Sequence, residues 1–257
     1  MFKTRVLRWT IAATAVLLFT SADAKAAMSE SAETILRMMS DRLSALPGFT
    51  ADYAIETEYV TTGGQKLQLL REGAIAIRRG VGLRVSRNGP QTRSAFVYDG
   101  TTATLSLDDL GLYVRRPVAA DPEQAIANLR LDTGFHVPAA DFLSTDPFTA
   151  LADGVTGGEY IGDAILDGIP CRHLAFRAPE VDWQIWIASD GDPLPLRYVI
   201  TTKWLAAAPQ YTLRLRNWKP GAEIAADTFV FEAPAGAHPI DHVTIDELDE
   251  VLLGGAE

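Results

Sequence analysis

The spacing of apolar and polar residues changes from helical to strand-like early in this chain. In residues 29–46, Ile35, Met39 and Leu43 fall on one helical face, which predicts an amphipathic helix. From Phe49 the period becomes two, so that apolar and polar side chains alternate as they do in a strand with one buried face. We therefore expect a helix followed by a sheet against which its apolar face packs.

The alternating pattern recurs in short segments that are separated by Gly, Asn and Asp residues at predicted turns. These residues favour tight turns because they tolerate the backbone angles that turns require. The predicted strands are 49–59, 66–78, 82–88, 92–98, 102–107, 111–116, 158–166, 169–177, 181–188, 195–203, 209–217 and 228–232. With no helix between the first six strands, an antiparallel meander is expected there.

Two predicted helices separate the two runs of strands. The first begins at Asp121-Pro122, an N-cap followed by a proline at the first helical position, and should end by Gly134. The second begins at Asp146-Pro147 and should end at Gly154. The chain has no internal repeat and no Pro- or Ser-rich linker, which favours a single domain over residues 28–240 with a helical insertion at 121–153.

The N-terminal residues have the pattern of an export signal. Three basic residues precede an apolar stretch from Trp9 to Phe19, and two Ala-x-Ala sites follow it. This stretch is shorter than the ~20 residues that a membrane-spanning helix needs, so we expect residues 1–24 to be cleaved. Cys171 is the only cysteine, so none lies near the cleavage site to carry a lipid. The sequence thus predicts a soluble protein of the periplasm.

Charge excludes some classes of partner. The chain has a formal net charge of −10, which argues against nucleic acid and against electrostatic attachment to anionic lipid. Residues 241–257 contain six acidic residues and no lysine or arginine, and we interpret them as an acidic C-terminal tail.

Candidate catalytic and metal-binding residues are few. Cys171 and His173 share one face of a predicted strand, where they could form a nucleophile and its base or half of a metal site. The alternative is a small buried side chain beside a histidine, which we prefer because no third orienting residue is evident. His238 and His242 have a metal-ligand spacing but lie at the start of the acidic tail. We expect no enzyme activity, no catalytic residue, no metal ligand and no cofactor.

Several segments of this sequence resemble a family of known fold. The chain is similar to the periplasmic lipoprotein carriers of the LolA/LolB-like superfamily. The similarity lies in Leu43, Phe49–Tyr53, Glu72–Arg79, Phe96–Thr102 and Thr228–Ala237. Pro170–Phe176 and Asp182–Ile187 look closer still to a group of predicted periplasmic proteins of unknown function, thought to share the fold.

This resemblance implies a mainly β (α+β) fold, a strongly curved antiparallel half-barrel of about 11–12 strands with helices that lid an apolar cavity. A curled sheet with one apolar face must fill its interior with side chains, a helix or a ligand. The carriers hold lipoprotein acyl chains in the cavity, and an arginine in a basic pair before a proline helps to hold their lid shut. Arg79 matches that arginine, whereas Gly80 replaces the proline.

The resemblance and the alternation together predict a binding protein or carrier for lipids, lipoprotein acyl chains or other amphiphiles. Strand parity and resemblance select the expected ligand-binding residues, with Arg79 added from the resemblance alone: Tyr53, Ile55, Ile75, Ile77, Arg79, Leu83, Val85, Phe96, Tyr98 and Trp183. The alternative is a protein-interaction or envelope-stress sensor module of the same fold with a self-filled cavity. Trp186, on the polar face of its strand, then either contacts an envelope protein or packs under a neighbouring loop.

Overall fold

A computed structural model of the chain describes residues 28–89, 92–118 and 122–243. Its helices are α1 (Glu30–Ala45), α2 (Pro122–Thr133), α3 (Ala140–Leu143) and α4 (Pro147–Ala152), with short 3-10 helices at Asp108–Leu110 and Ala226–Phe229. The strands are β1 (Gly48–Val60), β2 (Lys66–Arg78), β3 (Gly82–Asn88), β4 (Arg93–Tyr98), β5 (Thr102–Leu107), β6 (Leu112–Pro117), β7 (Gly157–Leu166), β8 (Ile169–Arg177), β9 (Val181–Ala188), β10 (Pro195–Thr202), β11 (Gln210–Pro220) and β12 (His238–Pro239). The expected signal peptide at 1–24 and most of the acidic tail lie outside the described residues.

All of the described strands belong to one strongly curved sheet. Its order is β12-β6-β5-β4-β3-β2-β1-β11-β10-β9-β8-β7, so two antiparallel meanders meet where β1 pairs with β11. Only the short pairing of β12 with β6 is parallel among the described strands. The predicted mainly β half-barrel is confirmed, with twelve strands in the described part of the chain.

Helix α1 and the concave face of the sheet form the core. Leu36, Met39 and Leu43 of α1 are fully buried and belong to the same cluster as the inward side chains of the strands. Ser29 caps the helix, since its hydroxyl accepts a hydrogen bond from the amide of Ala32 at 3.3 Å. The predicted packing of an early amphipathic helix against the sheet is therefore present.

Capping and turn residues mark the ends of the helices between the two meanders. Helix α2 ends before Gly134, whose φ of +75° suits glycine and whose amide donates to Arg130 O at 2.8 Å. Asp146 caps α4 by accepting a hydrogen bond from the amide of Thr149 at 3.1 Å. The sequence pattern did not predict α3, a single turn whose preceding residue, Ala139, has a φ of +60°.

The strand predicted at 228–232 is wrong. Residues Ala226–Phe229 form a 3-10 helix, and the last strand is instead β12. Phe229 is 1 % exposed and packs over Gly82, where an added Cβ would lie 2.5 Å from the phenyl ring. Phe229 is thus buried through a contact with a distant strand, which sequence periodicity does not reveal.

Candidate ligand-binding site

A cavity of about 610 Å³ lies between the concave face of the sheet and the segment that joins α2 to α3. Pockets of roughly 300–1,000 Å³ are typical of small-molecule sites. Its walls come from five strands and from the segment above them. The lining residues are Ile55, Thr57, Arg71, Arg87, Arg130, Gly134, His136, Val137, Pro138, Ala139, Ala140, Asp141, Tyr198, Ile200, Tyr211 and Leu213.

The floor of the cavity is a continuous patch on the strands β1, β11 and β10. Leu213 of β11 lies directly opposite Ile55 of β1 on one side and Tyr198 of β10 on the other. Tyr211 lies opposite Ile200 in the same way. Because residues paired across strands point to the same face, these side chains form one largely apolar surface.

The roof is the chain between α2 and α3, and aromatic residues hold it down. Phe135 is fully buried, and Val137 and Ala139 are largely buried in the same core cluster. The ring of Phe142 meets that of Tyr198 edge-on, with centroids 5.4 Å apart. The roof therefore rests on the sheet through apolar contacts, and the cavity is the space that these contacts leave.

Two buried arginines line one end of the cavity. Arg71 and Arg87 lie on β2 and β3, and their side chains share the concave face with apolar neighbours. The two residues are only 5 % and 2 % exposed, respectively. The guanidinium carbon of Arg87 lies 4.4 Å from the centre of the Phe135 ring, which fixes its position by a cation–π contact.

Asp141 is a lining carboxylate of this cavity, at the start of α3. Burial raises the pKa of Asp141, and the nearby positive charge of Arg130 opposes that shift. Burial also raises the pKa of Tyr198 well above its ordinary value. Burial is the main cause of both shifts, because a buried charge is costly unless it has a partner.

Of the residues expected from the sequence to bind ligand, Ile55 lines the cavity. The other apolar positions are buried in the core that α1 and the roof share with the sheet: Tyr53, Ile75, Ile77, Leu83, Val85, Phe96, Tyr98 and Trp183. Their inward orientation follows the predicted parity of each strand. Trp183 stacks on Phe176 with ring centroids 4.0 Å apart, so it packs against the chain itself. Their role in binding stays a prediction.

Arg79 lies at the junction between the sheet and the helices. Its Nη2 donates to the carbonyl of Leu43, near the end of α1, at 3.1 Å. Desolvation lowers the pKa of Arg79, and the negative charge of Glu123 in α2 opposes that shift. Glu123 in turn accepts hydrogen bonds from the amide and hydroxyl of Thr145, at 2.5 and 2.7 Å. Arg79 is thus placed where the two helical segments meet, although it does not line the cavity.

Arg71 and Arg87 were not predicted from the sequence as cavity residues, although their positions in the alternating pattern indicated it. Arg71 follows the parity of Ile75, and Arg87 follows that of Val85. An arginine that falls on the apolar face of a predicted strand marks either an edge of the core or a binding site. The residues at Gly134 to Asp141 could not be found this way, because they lie in a connection without periodic pattern.

Cys171 and His173 lie on the convex face, away from the cavity. Cys171 is fully buried, and burial raises the pKa of its thiol, which disfavours the nucleophilic thiolate. His173 stacks on Trp186 with centroids 4.1 Å apart and an interplanar angle of 9°, and its Nε2 lies 2.9 Å from Gln184 Oε1. The guanidinium of Arg197 covers Trp186 as well, at 5.1 Å. The half-buried indole is therefore packed among its neighbours.

No group of three or more His, Cys, Asp or Glu side chains lies close enough to hold a metal ion among the described residues. His238 belongs to β12, so it and His242 do not share a helix. Nor does any described helix combine the length and the hydropathy required to cross a membrane.

Comparison with known proteins identifies a family and a fold. The family model described as "Predicted periplasmic protein (DUF2092)" matches residues 32–243. No curated protein matches the chain in sequence. Among solved structures, an uncharacterized conserved protein from Thermus thermophilus is similar with a TM-score of 0.50, at 14% identity over 83% of this chain and 100% of that chain. At such low identity, this likeness is one of fold alone.

Two further structures are similar at lower scores. The Mycobacterium tuberculosis lipoprotein LppX has a TM-score of 0.49, at 16% identity over 77% of this chain and 100% of that chain. A LolA superfamily protein from Nitrosomonas europaea has a TM-score of 0.37, at 11% identity over 78% of this chain and 97% of that chain. The resemblance to a group of predicted periplasmic proteins of unknown function is confirmed, since the matching family model carries that description and covers residues 32–243.

Proposed function

The chain belongs to the DUF2092 family of predicted periplasmic proteins, and from this premise we propose that it is a binding protein or carrier for lipids, acyl chains or other amphiphiles. The protein is periplasmic and its fold is carrier-like. The observation that carries the proposal is the cavity of about 610 Å³ in the concave face of the half-barrel, whose floor and roof are largely apolar. In this proposal residues 28–240 act as one domain, and the helical insertion at 121–153 includes the roof between α2 and α3.

Apolar burial supplies the driving force for such binding. Each methylene group taken out of water contributes roughly 0.8 kcal/mol, so a chain of about twelve contributes on the order of 10 kcal/mol. Association and ordering cost an estimated 4–15 kcal/mol, so apolar burial of such a chain gives a net binding free energy of at most about 6 kcal/mol, which corresponds to reversible binding. A ligand held in this way can be passed on when the roof moves.

Arg79 and Glu123 are the proposed latch of that roof. They connect the β2–β3 turn, the end of α1, the start of α2 and Thr145 in the connection before α4. Opening the roof disrupts this network of hydrogen bonds and charge. The arrangement agrees with the role that the family resemblance implies for Arg79.

Native mass spectrometry of protein purified gently from the periplasm tests the proposal, followed by extraction and identification of bound lipid. The variant Ile200→Trp fills the cavity from β10 and should abolish the ligand-bound mass. Thr201→Trp, on the opposite face of the same strand, is the matched control and should retain it. A ligand-free mass for the wild-type protein, unchanged after incubation with phospholipids and lipopeptides, rejects the proposal.

Protein interaction is the second candidate function, and exposed apolar side chains at one edge of the sheet favour it. In β7, Ile161 and Ile165 are 53% and 76% exposed, and Ile169 of β8 is 43% exposed. Large apolar side chains exposed along the edge strand of a sheet are candidates for a contact surface. Photo-crosslinking from position 165 in the periplasm, with position 159 of the same strand as the control site, should then capture an envelope protein. Equal, diffuse crosslinking from both positions contradicts this candidate.

A further inference from the structure

The loop that joins β10 to β11 carries a run of six apolar residues. Residues 204–209 read Trp-Leu-Ala-Ala-Ala-Pro, and Trp204 is 63 % exposed. Ala206 and Ala207 are exposed as well. Surface turns are usually built from Gly, Asn, Asp, Ser and Pro, because these residues suit the backbone of a turn. A run of exposed apolar residues is a liability to a protein in water unless it contacts something apolar.

The backbone of this loop is unusual for its residue types. Ala207 and Ala208 have φ values of +62° and +42°, in the left-handed region that glycine and asparagine occupy most readily. The amide of Ala208 donates to Leu205 O at 3.1 Å and closes the turn. Glycine or asparagine would relax this backbone, but neither would present an apolar side chain. The loop therefore keeps two exposed or half-buried methyl groups despite backbone strain.

The β1–β2 hairpin lies beside this loop and adds to its apolar surface. One carboxylate oxygen of Glu58, in β1, accepts hydrogen bonds from Lys66 Nζ at 2.8 Å and from the amide of Gln210 at 2.9 Å. Glu58 thus joins the two hairpins. Leu67 and Leu70 of the first hairpin are 39% and 62% exposed.

The surface formed by residues 59–70 and 203–209 is here called the apolar rim. Neither segment contains an acidic residue, although 33 of the 257 residues of the chain are acidic. Lys203 Nζ donates to Asp182 Oδ1 at 2.9 Å, and Glu180, in the adjoining β8–β9 turn, is an exposed carboxylate next to the rim. The rim itself therefore presents apolar side chains and two lysines, and no negative charge that a phosphate group would repel.

The rim continues the wall of the cavity. Thr57, Ile200 and Tyr211 line the cavity, and Thr57 with Tyr211 is the last pair of β1 with β11 at this end of the sheet. Tyr59 shares the face of Thr57 and lies opposite Leu67 of the rim. Because alternate residues of a strand point to the same face, the concave surface leads from the cavity directly to the rim.

We propose that the apolar rim docks on the surface of a phospholipid bilayer, and that ligands pass between the bilayer and the cavity over it. Tryptophan favours the boundary between acyl chains and head groups, because its ring is apolar and its N–H can donate a hydrogen bond. Lysine buries its methylene groups there and keeps its ammonium group among the head groups. This inference rests on the proposed carrier function and specifies where the carrier exchanges its ligand.

A bilayer fits the rim better than a protein partner does. A stable protein interface takes about 20–30 residues from each partner, more than the two segments of the rim contain. A fluid bilayer needs no complementary surface, because its lipids close around a shallow apolar insertion. Apolar insertion also agrees with the net charge of −10, which excludes attachment by general electrostatic attraction to anionic lipid.

Flotation of the purified protein with phosphatidylcholine vesicles, with and without phosphatidylglycerol, tests the docking. We expect the wild-type protein to float with both, and high salt to leave the bound fraction within about twofold, since apolar insertion is not screened. The indole emission of Trp204 should shift to shorter wavelength on binding. Trp204→Phe should lose that shift and still float, because its phenyl ring is also apolar.

Charged substitutions locate the contact. Trp204→Glu should weaken vesicle binding by at least about tenfold, because an indole ring buries about 150–250 Å² of apolar surface. Ala206→Asp, at another exposed position of the loop, should also weaken it. Leu131→Glu is the matched control, since Leu131 of α2 is 84% exposed and lies outside the rim, and it should float as the wild-type protein does. Unchanged thermal unfolding shows that each variant is folded.

The outcomes separate the docking rim from the carrier function on which it rests. Wild-type protein that carries lipid in native mass spectrometry but floats with neither kind of vesicle overturns the rim and leaves the carrier function intact. Flotation that Leu131→Glu weakens as much as Trp204→Glu, or that neither rim variant weakens, also overturns it. Crosslinking from position 204 to one envelope protein, without flotation, overturns it in favour of a protein contact. Rim-dependent flotation of a protein without bound lipid supports the rim and rejects the carrier function.

Discussion

Replacing Gly73 by alanine should destabilise the protein far more than an ordinary glycine-to-alanine change. A Cβ at this position would overlap the carbonyl oxygen of Ser86 and lie 2.6 Å from the hydroxyl of Tyr53. That hydroxyl donates a hydrogen bond to Ser86 O at 2.8 Å, so the new methyl group also disturbs this partly buried hydrogen bond. Overpacking costs about 1–3 kcal/mol, and a buried polar group left unsatisfied costs about 1–3 kcal/mol more.

We therefore expect Gly73→Ala to lower the free energy of unfolding by roughly 3 kcal/mol. With a urea slope of about 3 kcal/mol per molar, the midpoint falls by roughly 1 M, which urea denaturation followed by circular dichroism measures directly. Gly63→Ala is the control on the adjoining hairpin, since its Cβ would meet only Thr61 Oγ1, at 3.8 Å. If the two variants unfold within about 0.5 kcal/mol of each other, the close approach of β2 and β3 beside the cavity is not as described.

Three further predictions concern single side chains. Cys171 should resist thiol reagents in the folded protein and react on unfolding in urea, because it is fully buried and burial raises its thiol pKa; rapid labelling of the native state would contradict this. Asp141→Asn should raise the thermal midpoint at neutral pH, because the folded state disfavours the ionised carboxyl. That gain should vanish below about pH 3.9, where the carboxyl of the unfolded chain is protonated as well, and a pH-independent gain would refute the assignment. Glu123→Gln should speed amide exchange at Thr145, whose amide donates to that carboxylate, and should leave the exchange rates of the β8 amides unchanged. Equal exchange at Thr145 in the variant and the wild-type protein would exclude the proposed latch.

Several of the predicted binding residues are too deeply buried for their substitution to test ligand binding. A charge at Ile77 or Tyr98 disrupts the core, since both are at most 2 % exposed. Such a variant unfolds the protein whether or not it binds a ligand. Ile200 is half-buried at the cavity wall, so its substitution reports on binding itself.

The sequence by itself determined the strands and the direction of their side chains. The bounds of β2, β3, β5, β8 and β9 agree with those that the alternation predicts, because turn residues such as glycine, proline and aspartate end each strand locally. Trp183 points inward as its parity requires, at 4 % exposure. Alternation is a property of neighbouring residues, so it needs no knowledge of the rest of the fold.

Only the tertiary structure decided which part of the concave face is filled and which part is left open. Met39 of α1 and Ile75 belong to one filled core, whereas a gap remains beside Ile55, beneath a roof that begins more than seventy residues later in the chain. Residues 228–232 show the same limit, because the predicted strand is replaced by a 3-10 helix that buries Phe229 against Gly82. Side-chain volume and contacts between distant segments determine such packing, and periodicity along the chain carries no information about either.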